Sequence, residues 1–162
     1  MKKIIRSTAL VLVLILACGL LTACGSGSGS SSKAADFDVT ALSDELLASD
    51  AFSDILSAVS NDTALMLYSL TSDQVAECSV CCSTGATAEE IAVFKATGED
   101  AAKEIETAMK TRVDNQNQSF VNYVPEEIPK LDKAIIVRNG LYVAYVVAND
   151  VDAAQTIVDK YM

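Results

Sequence analysis

The apolar residues between Asp38 and Val59 recur at spacings of three and four positions. This spacing predicts one or two short amphipathic helices, with Thr40 as a plausible cap. The apolar residues concerned are Leu42, Leu46, Leu47, Phe52, Ile55, Leu56 and Val59. From Asn61 to Val75 the apolar positions fit neither a helical stripe nor strand alternation, and we expect mostly turns.

The remainder of the chain shows one order of elements twice: strand, hairpin, strand, helix. The first unit is predicted at about 77–83, 90–96 and 99–121, and the second at about 133–138, 141–148 and 151–161, with Gly85 and Gly140 in the hairpin loops. The predicted fold class is α+β. We expect a four-stranded, mainly antiparallel sheet made of these two strand-strand-helix units and preceded by short N-terminal helices.

A shift of 52 residues superimposes Ile91–Met109 on Val143–Tyr161 with six identities in 19 positions. Thr97 and Asn149 precede the two helices as N-cap candidates, and each is followed three positions later by an aspartate. Duplication and coincidence in alanine-rich sequence both explain the repeat.

Strand alternation puts Ala144, Val146 and Ala148 on one side of the last strand and Val143, Tyr145 and Val147 on the other. Both sides are apolar, so both need cover. We expect the two C-terminal helices to cover one face with Ala101, Ile105, Ala108, Met109, Ile157 and Val158. The N-terminal helices should then cover the face that carries the Tyr145 row together with Ile91 and Val93; if they do not, that face is an interface centred on Tyr145.

Residues 1–23 are predicted to be a secretory signal peptide. Lys2, Lys3 and Arg6 precede an apolar run from Ala9 to Leu21 that ends in small residues. The segment 21–24, Leu-Thr-Ala-Cys, resembles the lipobox of bacterial lipoproteins, in which the cysteine receives diacylglycerol and becomes the new N-terminus. Cys24 is therefore the predicted lipidation site. Cys18 competes less well because bulky Leu16 lies two positions before it.

The rest of the chain divides into residues 24–33, a lipidated cysteine with a glycine-serine tether, and 34–162, a single exported domain. The lipid chains would hold the domain on the extracytoplasmic face of the cell membrane. From Cys24 onward the chain has 9 basic and 22 acidic residues, a net charge of -13. This charge argues against nucleic acid and bare lipid surfaces as partners.

The chain contains no histidine, the commonest general base near neutral pH and the commonest metal ligand. Cys78, Cys81 and Cys82 form a C-x-x-C-C cluster that is compatible with metal or redox chemistry. On a strand, however, Cys78 and Cys82 face one side and Cys81 the other. We interpret them as small buried hydrophobic residues, leave a Cys78–Cys82 or vicinal disulfide open, and predict neither a metal nor a cofactor.

Adjacent or alternating acidic residues could bind calcium or act as acid and base. None matches a calcium-loop pattern, so we expect solvated turns and helix caps and assign no catalytic residue. The pairs are Asp36 with Asp38, Glu89 with Glu90, Glu126 with Glu127, and Asp150 with Asp152.

The polar run Asn115–Phe120 near the end of the long predicted helix could hydrogen-bond a glycan or a peptide. Its candidate binding residues are Gln116, Gln118 and Phe120, with Tyr123 beyond them. A solvated last helical turn also explains the run, and we favour that interpretation.

Two segments, residues 83–94 (STGATAEEIAVF) and residues 123–131 (YVPEEIPKL), resemble the family named domain of unknown function 4358. The resemblance spans roughly residues 38–158. It implies a small exported lipoprotein of clostridia or their relatives, with unassigned activity and no catalytic or binding residues to carry over. The cysteine cluster departs from the family pattern.

Together these features favour a non-enzymatic, membrane-anchored module that binds another envelope protein or a cell-wall component. The alternatives are a ligand-capture lipoprotein that serves a transporter and a small hydrolase or redox enzyme that uses the cysteines or a carboxylate pair.

Overall fold

Helix α1 (Val39–Leu47) is the first element of residues 36–162, the part of the chain that the computed structural model describes. Val39, Leu42 and Leu46 are buried, so the predicted amphipathic helix is confirmed here. Asp38, rather than Thr40, caps it, because its carboxylate accepts a hydrogen bond from the Thr40 backbone N–H at 2.9 Å. The predicted signal peptide, tether and lipidation site at Cys24 lie outside the described residues.

The region after α1 differs from the prediction. Residues 48–56 form turns and bends rather than a second helix, and the Ile55 side chain is 82% exposed. Conversely, the expected turns after residue 60 are helix α2 (Asn61–Tyr68). Ser60 caps α2 by accepting from the Thr63 N–H at 3.2 Å. The helix is only two turns long and buries Ala64 and Tyr68, too few positions to give a clear periodic signal.

The α+β class is confirmed, with an antiparallel sheet of five strands rather than four. The four predicted strands are present as β2 (Val75–Cys82), β3 (Glu90–Ala96), β4 (Ile135–Asn139) and β5 (Tyr142–Val147). The fifth is β1 (Ser57–Ala58), whose two residues pair with Cys82 and Cys81 at the sheet edge. The strand order is β1-β2-β3-β5-β4.

Both hairpin glycines have the conformation that the predicted loops require. Gly85 and Gly140 have φ angles of +94° and +59°, a region that residues with a Cβ rarely occupy. The helices after the hairpins are α3 (Glu99–Phe120) and α5 (Val151–Val158). Their caps are Gly98 and Asp150, each one residue later than the predicted Thr97 and Asn149.

Between α3 and β4 the chain forms a 3-10 turn (Pro125–Glu127) that continues into the short helix α4 (Ile128–Leu131). Neither element is predicted by the sequence pattern. Although α3 has 22 residues, no helix within residues 36–162 is both long and apolar enough to cross a bilayer.

Both faces of the sheet are buried, as predicted, but the helices are distributed differently. Helices α2 and α3 cover the face with Val143, Tyr145 and Val147, whereas α1 and α5 cover the face with Ala144 and Val146. The two C-terminal helices therefore lie on opposite faces. The predicted neighbours of Tyr145 change as a result: Ile91 and Val93 pack under α1, not beside Tyr145.

The two strand-strand-helix units have opposite handedness. Across the sheet, the first unit runs from its outer strand β2 to its inner strand β3, whereas the second runs the opposite way, from β4 to β5. The inner strands β3 and β5 are antiparallel, and the helices that follow them, α3 and α5, lie on opposite faces. Three such reversals amount to an inversion, which no rotation can produce. The two complete strand-strand-helix units therefore do not superimpose, which argues against duplication of a folded unit.

Candidate functional site

Glu90, the first residue of β3, and Glu89, directly before it, are each only 1% exposed. Glu127 is buried as well, so the interpretation of these residues as solvated acids is wrong, whereas Glu126 is exposed as expected. Successive residues of a strand point to opposite faces, so the two carboxylates enter different layers of the protein. A buried carboxylate is stable only with hydrogen bonds and an opposite charge, and the two glutamates obtain these from different elements.

Glu90 lies at the centre of a polar cluster beneath α2 and α3, which we call the Glu90 cluster. Arg112 of α3 donates to Glu90 Oε2 through Nη2 at 2.8 Å and Nε at 3.2 Å. Tyr68 of α2 donates its hydroxyl to Oε1 at 2.7 Å, and Gln116 donates Nε2 to Oε2 at 3.0 Å. The Arg112 guanidinium also lies 5.9 Å from the Tyr68 ring centroid, within cation–π distance.

The electrostatics of the Glu90 cluster keep Arg112 charged. Burial lowers the pKa of Arg112, but the Glu90 carboxylate more than offsets this, and the net effect is a raised pKa. Burial and the same carboxylate raise the pKa of Tyr68 well above its ordinary value, so its hydroxyl stays protonated and donates. The cluster is therefore a buried ion pair completed by two neutral donors.

Tyr145 of β5 adds a hydroxyl to this layer, and its ring lies 6.2 Å from that of Tyr68. The hydroxyl is buried and has no hydrogen-bond partner among the described residues. Burial, and then the Glu90 charge, raise the pKa of Tyr145. A buried hydroxyl without a partner carries an uncompensated desolvation cost.

The three cysteines of β2 are free thiols, and they alternate as predicted. Cys81 packs in the layer under α1, whereas Cys78 and Cys82 lie on the side of α2 and α3. Burial and the nearby Glu90 charge raise the pKa of Cys82 to about 12, and burial raises the pKa of Cys78. Thiols with raised pKa values are protonated near neutral pH and are weak nucleophiles. Among residues 36–162, no three cysteine, aspartate or glutamate side chains are grouped to hold a metal ion.

Glu89 is surrounded mainly by the loop after α1. The backbone N–H groups of Ser53 and Asp54 each donate to Oε2 at 2.9 Å, and the Ser53 hydroxyl donates to Oε1 at 2.5 Å. Lys130 of α4 donates to Oε1 at 2.8 Å. Burial raises the pKa of Glu89, but the bonds from Lys130 and Ser53 outweigh it, so the net pKa is lowered.

Glu127 joins the two sequence segments that carry the family resemblance. Its carboxylate accepts from the Ala88 N–H at 2.9 Å and pairs with Lys130 at 3.0 Å, and Lys130 in turn pairs with Glu89. The segments at 83–94 and 123–131 therefore meet at one end of the sheet. Their contacts are structural ion pairs and a backbone hydrogen bond.

An open groove of about 250 Å³ lies between α2 and α3, next to the Glu90 cluster. Tyr68 and Arg112 take part in both, since each lines the groove and also binds Glu90. Helix α2 ends beside the groove at Ser69, whose φ angle of +53° lets the Leu70 N–H donate to the Leu65 carbonyl, as in a Schellman cap. The groove offers an external ligand an open surface that both polar and apolar side chains line.

The five binding residues proposed from sequence do not form one patch. Gln116 is half-buried and donates to Glu90, while Gln118 and Tyr123 are exposed, Tyr123 to 72%. Phe120 and Tyr145 are buried in the core, so an interface centred on an exposed Tyr145 is excluded for the described domain.

Sequence reasoning missed the residues that define the site, Glu90, Tyr68 and Arg112. One signal could have found Arg112: with Gln116 it continues the buried positions Ile105 and Met109 at four-, three- and four-residue spacing, so it lies on the apolar side of α3. An arginine in that position needs a buried anion, and the two glutamates directly before the apolar run of β3 were the candidates.

Comparison with known proteins identifies the chain at the level of family. No curated protein and no solved structure matches the chain. The family model described as domain of unknown function (DUF4358) matches residues 52–148, which include all five strands, both sequence segments and every residue of the Glu90 cluster. This match covers more than half of the chain, and the protein belongs to that family.

Proposed function

We propose that the protein is a lipoprotein anchored on the extracytoplasmic face of the cell membrane, and that its domain binds another envelope component without catalysis. The anchor is supported by the sequence of residues 1–33: a basic start, an apolar run, a lipobox-like segment ending at Cys24, and a glycine-serine tether. The strong negative charge after Cys24 favours a protein or cell-wall partner over an anionic surface.

The observation that carries the binding role is the groove between α2 and α3. Its wall is rigid, because Tyr68 and Arg112 are fixed from behind by Glu90. Side chains that are already held in place lose little entropy when they bind a ligand. The groove thus combines an open surface with a supported wall.

The described reactive groups favour binding over catalysis. The oxygens of Glu90 accept four hydrogen bonds from three residues within about 3.2 Å or less, and Glu89 accepts four from its own neighbours. Carboxylates engaged in this way are poor general bases, because taking up a proton would break the ion pairs that hold them. The raised thiol pKa of Cys82 likewise disfavours a thiolate nucleophile.

The anchor is tested by replacing Cys24 with alanine in the full chain and following detergent partitioning of the expressed protein. We expect the Cys24→Ala variant to leave the detergent phase, because it has no acyl chains to bury. Cys18→Ala is the matched control, since it removes the other cysteine of the signal region and should still partition like the wild type. If Cys18→Ala releases the protein and Cys24→Ala does not, the lipidation assignment is wrong.

A further inference from the structure

The groove between α2 and α3 has a carboxylate toward one end and a guanidinium toward the other. Glu104 and Arg112 both line it and lie eight residues apart on α3. At a rise of about 1.5 Å per residue, their positions are about 12 Å apart along the helix axis. The groove therefore has a charge polarity along its length.

Glu104 is oriented by a neighbouring side chain. Gln74 donates Nε2 to Glu104 Oε2 at 2.6 Å, and its own amide oxygen accepts from the Thr71 N–H at 2.8 Å. Among the ion pairs of residues 36–162, none involves Glu104, whereas Glu106, two positions away, pairs with Lys110 and Arg138. Glu104 is thus an oriented carboxylate that can accept a cationic group from a ligand.

Arg112 has donors left for a ligand at the other end. A guanidinium has five N–H groups, and its bonds to Glu90 use Nε and Nη2. The Arg112 side chain is 18% exposed. The N–H groups of Nη1 suit a carboxylate, although Glu90 already neutralises much of the charge.

The lining also includes the apolar side chains of Leu67, Leu70 and Ala108 and the hydroxyls of Thr107 and Thr111. An extended peptide spans at most about 3.3–3.6 Å per residue, so three or four residues cover about 12 Å. The modest volume, about 250 Å³, favours small side chains.

From this arrangement we infer that the groove binds a short extended peptide with free termini and small side chains. Its amino terminus lies at Glu104 and its carboxyl terminus at Arg112. The inference rests on the proposed binding function and names the class of ligand.

The test is calorimetric titration of the mature lipidated protein in detergent with tetra-alanine and with the same peptide N-acetylated or C-amidated. We expect tetra-alanine to bind more tightly than its acetylated form by about two- to fivefold, the range of an exposed ion pair. C-amidation of tetra-alanine should weaken binding less than N-acetylation does, because Glu90 offsets the charge of Arg112. Glu104→Gln should abolish the preference for the free amine, and Glu106→Gln, which removes the same charge outside the groove, should preserve it.

Two results would overturn the inference: no binding of tetra-alanine, or a preference for the free amine that persists in Glu104→Gln. Circular dichroism of both variants checks that the fold is intact. The partitioning of Cys24→Ala tests the anchor separately, so a failure of tetra-alanine to bind would overturn the ligand class and would leave the lipoprotein anchor to that experiment.

Discussion

Glu89 and Glu90 are neighbours in sequence and equally buried, yet the protein compensates their charges in different ways. Among the described residues, Glu90 is held by side chains alone, and its one cation is Arg112, a residue of the long helix α3. Glu89 is held by two backbone N–H groups, a hydroxyl and Lys130, which come from a loop and a short helix. Each glutamate has one cation among the described residues, but losing it would leave Glu89 with three hydrogen bonds, two of them from the backbone, and Glu90 with two from side chains. Glu90 is therefore more vulnerable to the loss of its cation, and we call the compensation of Glu89 distributed.

The first prediction tests that vulnerability. Arg112→Met should lower the free energy of unfolding by about 3–5 kcal/mol, because it leaves the Glu90 carboxylate buried without a cation. Urea denaturation followed by circular dichroism measures this. The double variant Glu90→Gln/Arg112→Met should recover most of the loss, since it buries neither charge. A double variant no more stable than Arg112→Met would show that packing, not the stranded charge, dominates.

The second prediction concerns the distributed site. Lys130→Met should cost about 1–3 kcal/mol, less than Arg112→Met, because Glu89 keeps three of its hydrogen bonds. Urea denaturation gives the loss of unfolding free energy for both variants. Lys110→Met, at an exposed pair with Glu106, is the control and should change stability by at most about 1 kcal/mol. A loss for Lys130→Met equal to that for Arg112→Met would remove the distinction between the two sites.

The third prediction concerns acid sensitivity. The pKa of Glu89 is lower in the folded protein than the ordinary glutamate value of about 4.3, so below that pH the unfolded chain binds more protons. The stability that this group contributes is therefore fully present above its unfolded pKa and is lost as the pH falls through its folded pKa. Glu89→Gln should make the free energy of unfolding less steeply dependent on pH as the pH falls below about 5.

The control for acid sensitivity is Glu126→Gln, which removes an exposed carboxylate near the same ion pairs. The slope of stability against pH for Glu89→Gln is compared with the slopes for this variant and for the wild type. An identical slope in Glu89→Gln and the wild type would mean that the hydrogen bonds to Glu89 do not lower its pKa in solution.

Much of the fold could be predicted because its signals are local. Short continuous apolar runs located β3 and β5, and Gly85 and Gly140 marked the hairpin loops, where both have positive φ angles. Helix α2 was missed because tertiary packing of Tyr68, rather than a regular stripe, stabilises its two turns. The helix faces were also missed, because sequence order does not state on which side of a sheet the chain returns.

The Glu90 cluster was hidden for a different reason. In the sequence, Tyr68 lies 22 residues before Glu90 and Arg112 lies 22 residues after it. Only the packing of α2 and α3 on one face of the sheet brings the three residues together. An acidic pair at a strand end is usually solvated, and its burial becomes evident only when the cation is recognised on the apolar side of a helix. Of the binding residues proposed from sequence, Gln116 reaches this cluster because it lies one turn beyond Arg112.

The smallest predicted effect compares the two tyrosines beside Glu90. The Tyr145 hydroxyl is buried without a partner among the described residues, so Tyr145→Phe should leave stability unchanged or raise it by up to about 1 kcal/mol. Tyr68→Phe removes an equally small group but breaks the 2.7 Å bond to Glu90 and should cost about 1–3 kcal/mol. Urea denaturation of the two variants in parallel makes the comparison. A loss above about 1 kcal/mol for Tyr145→Phe would show that its hydroxyl is satisfied in solution, and the Glu90 cluster would then include a fifth polar group.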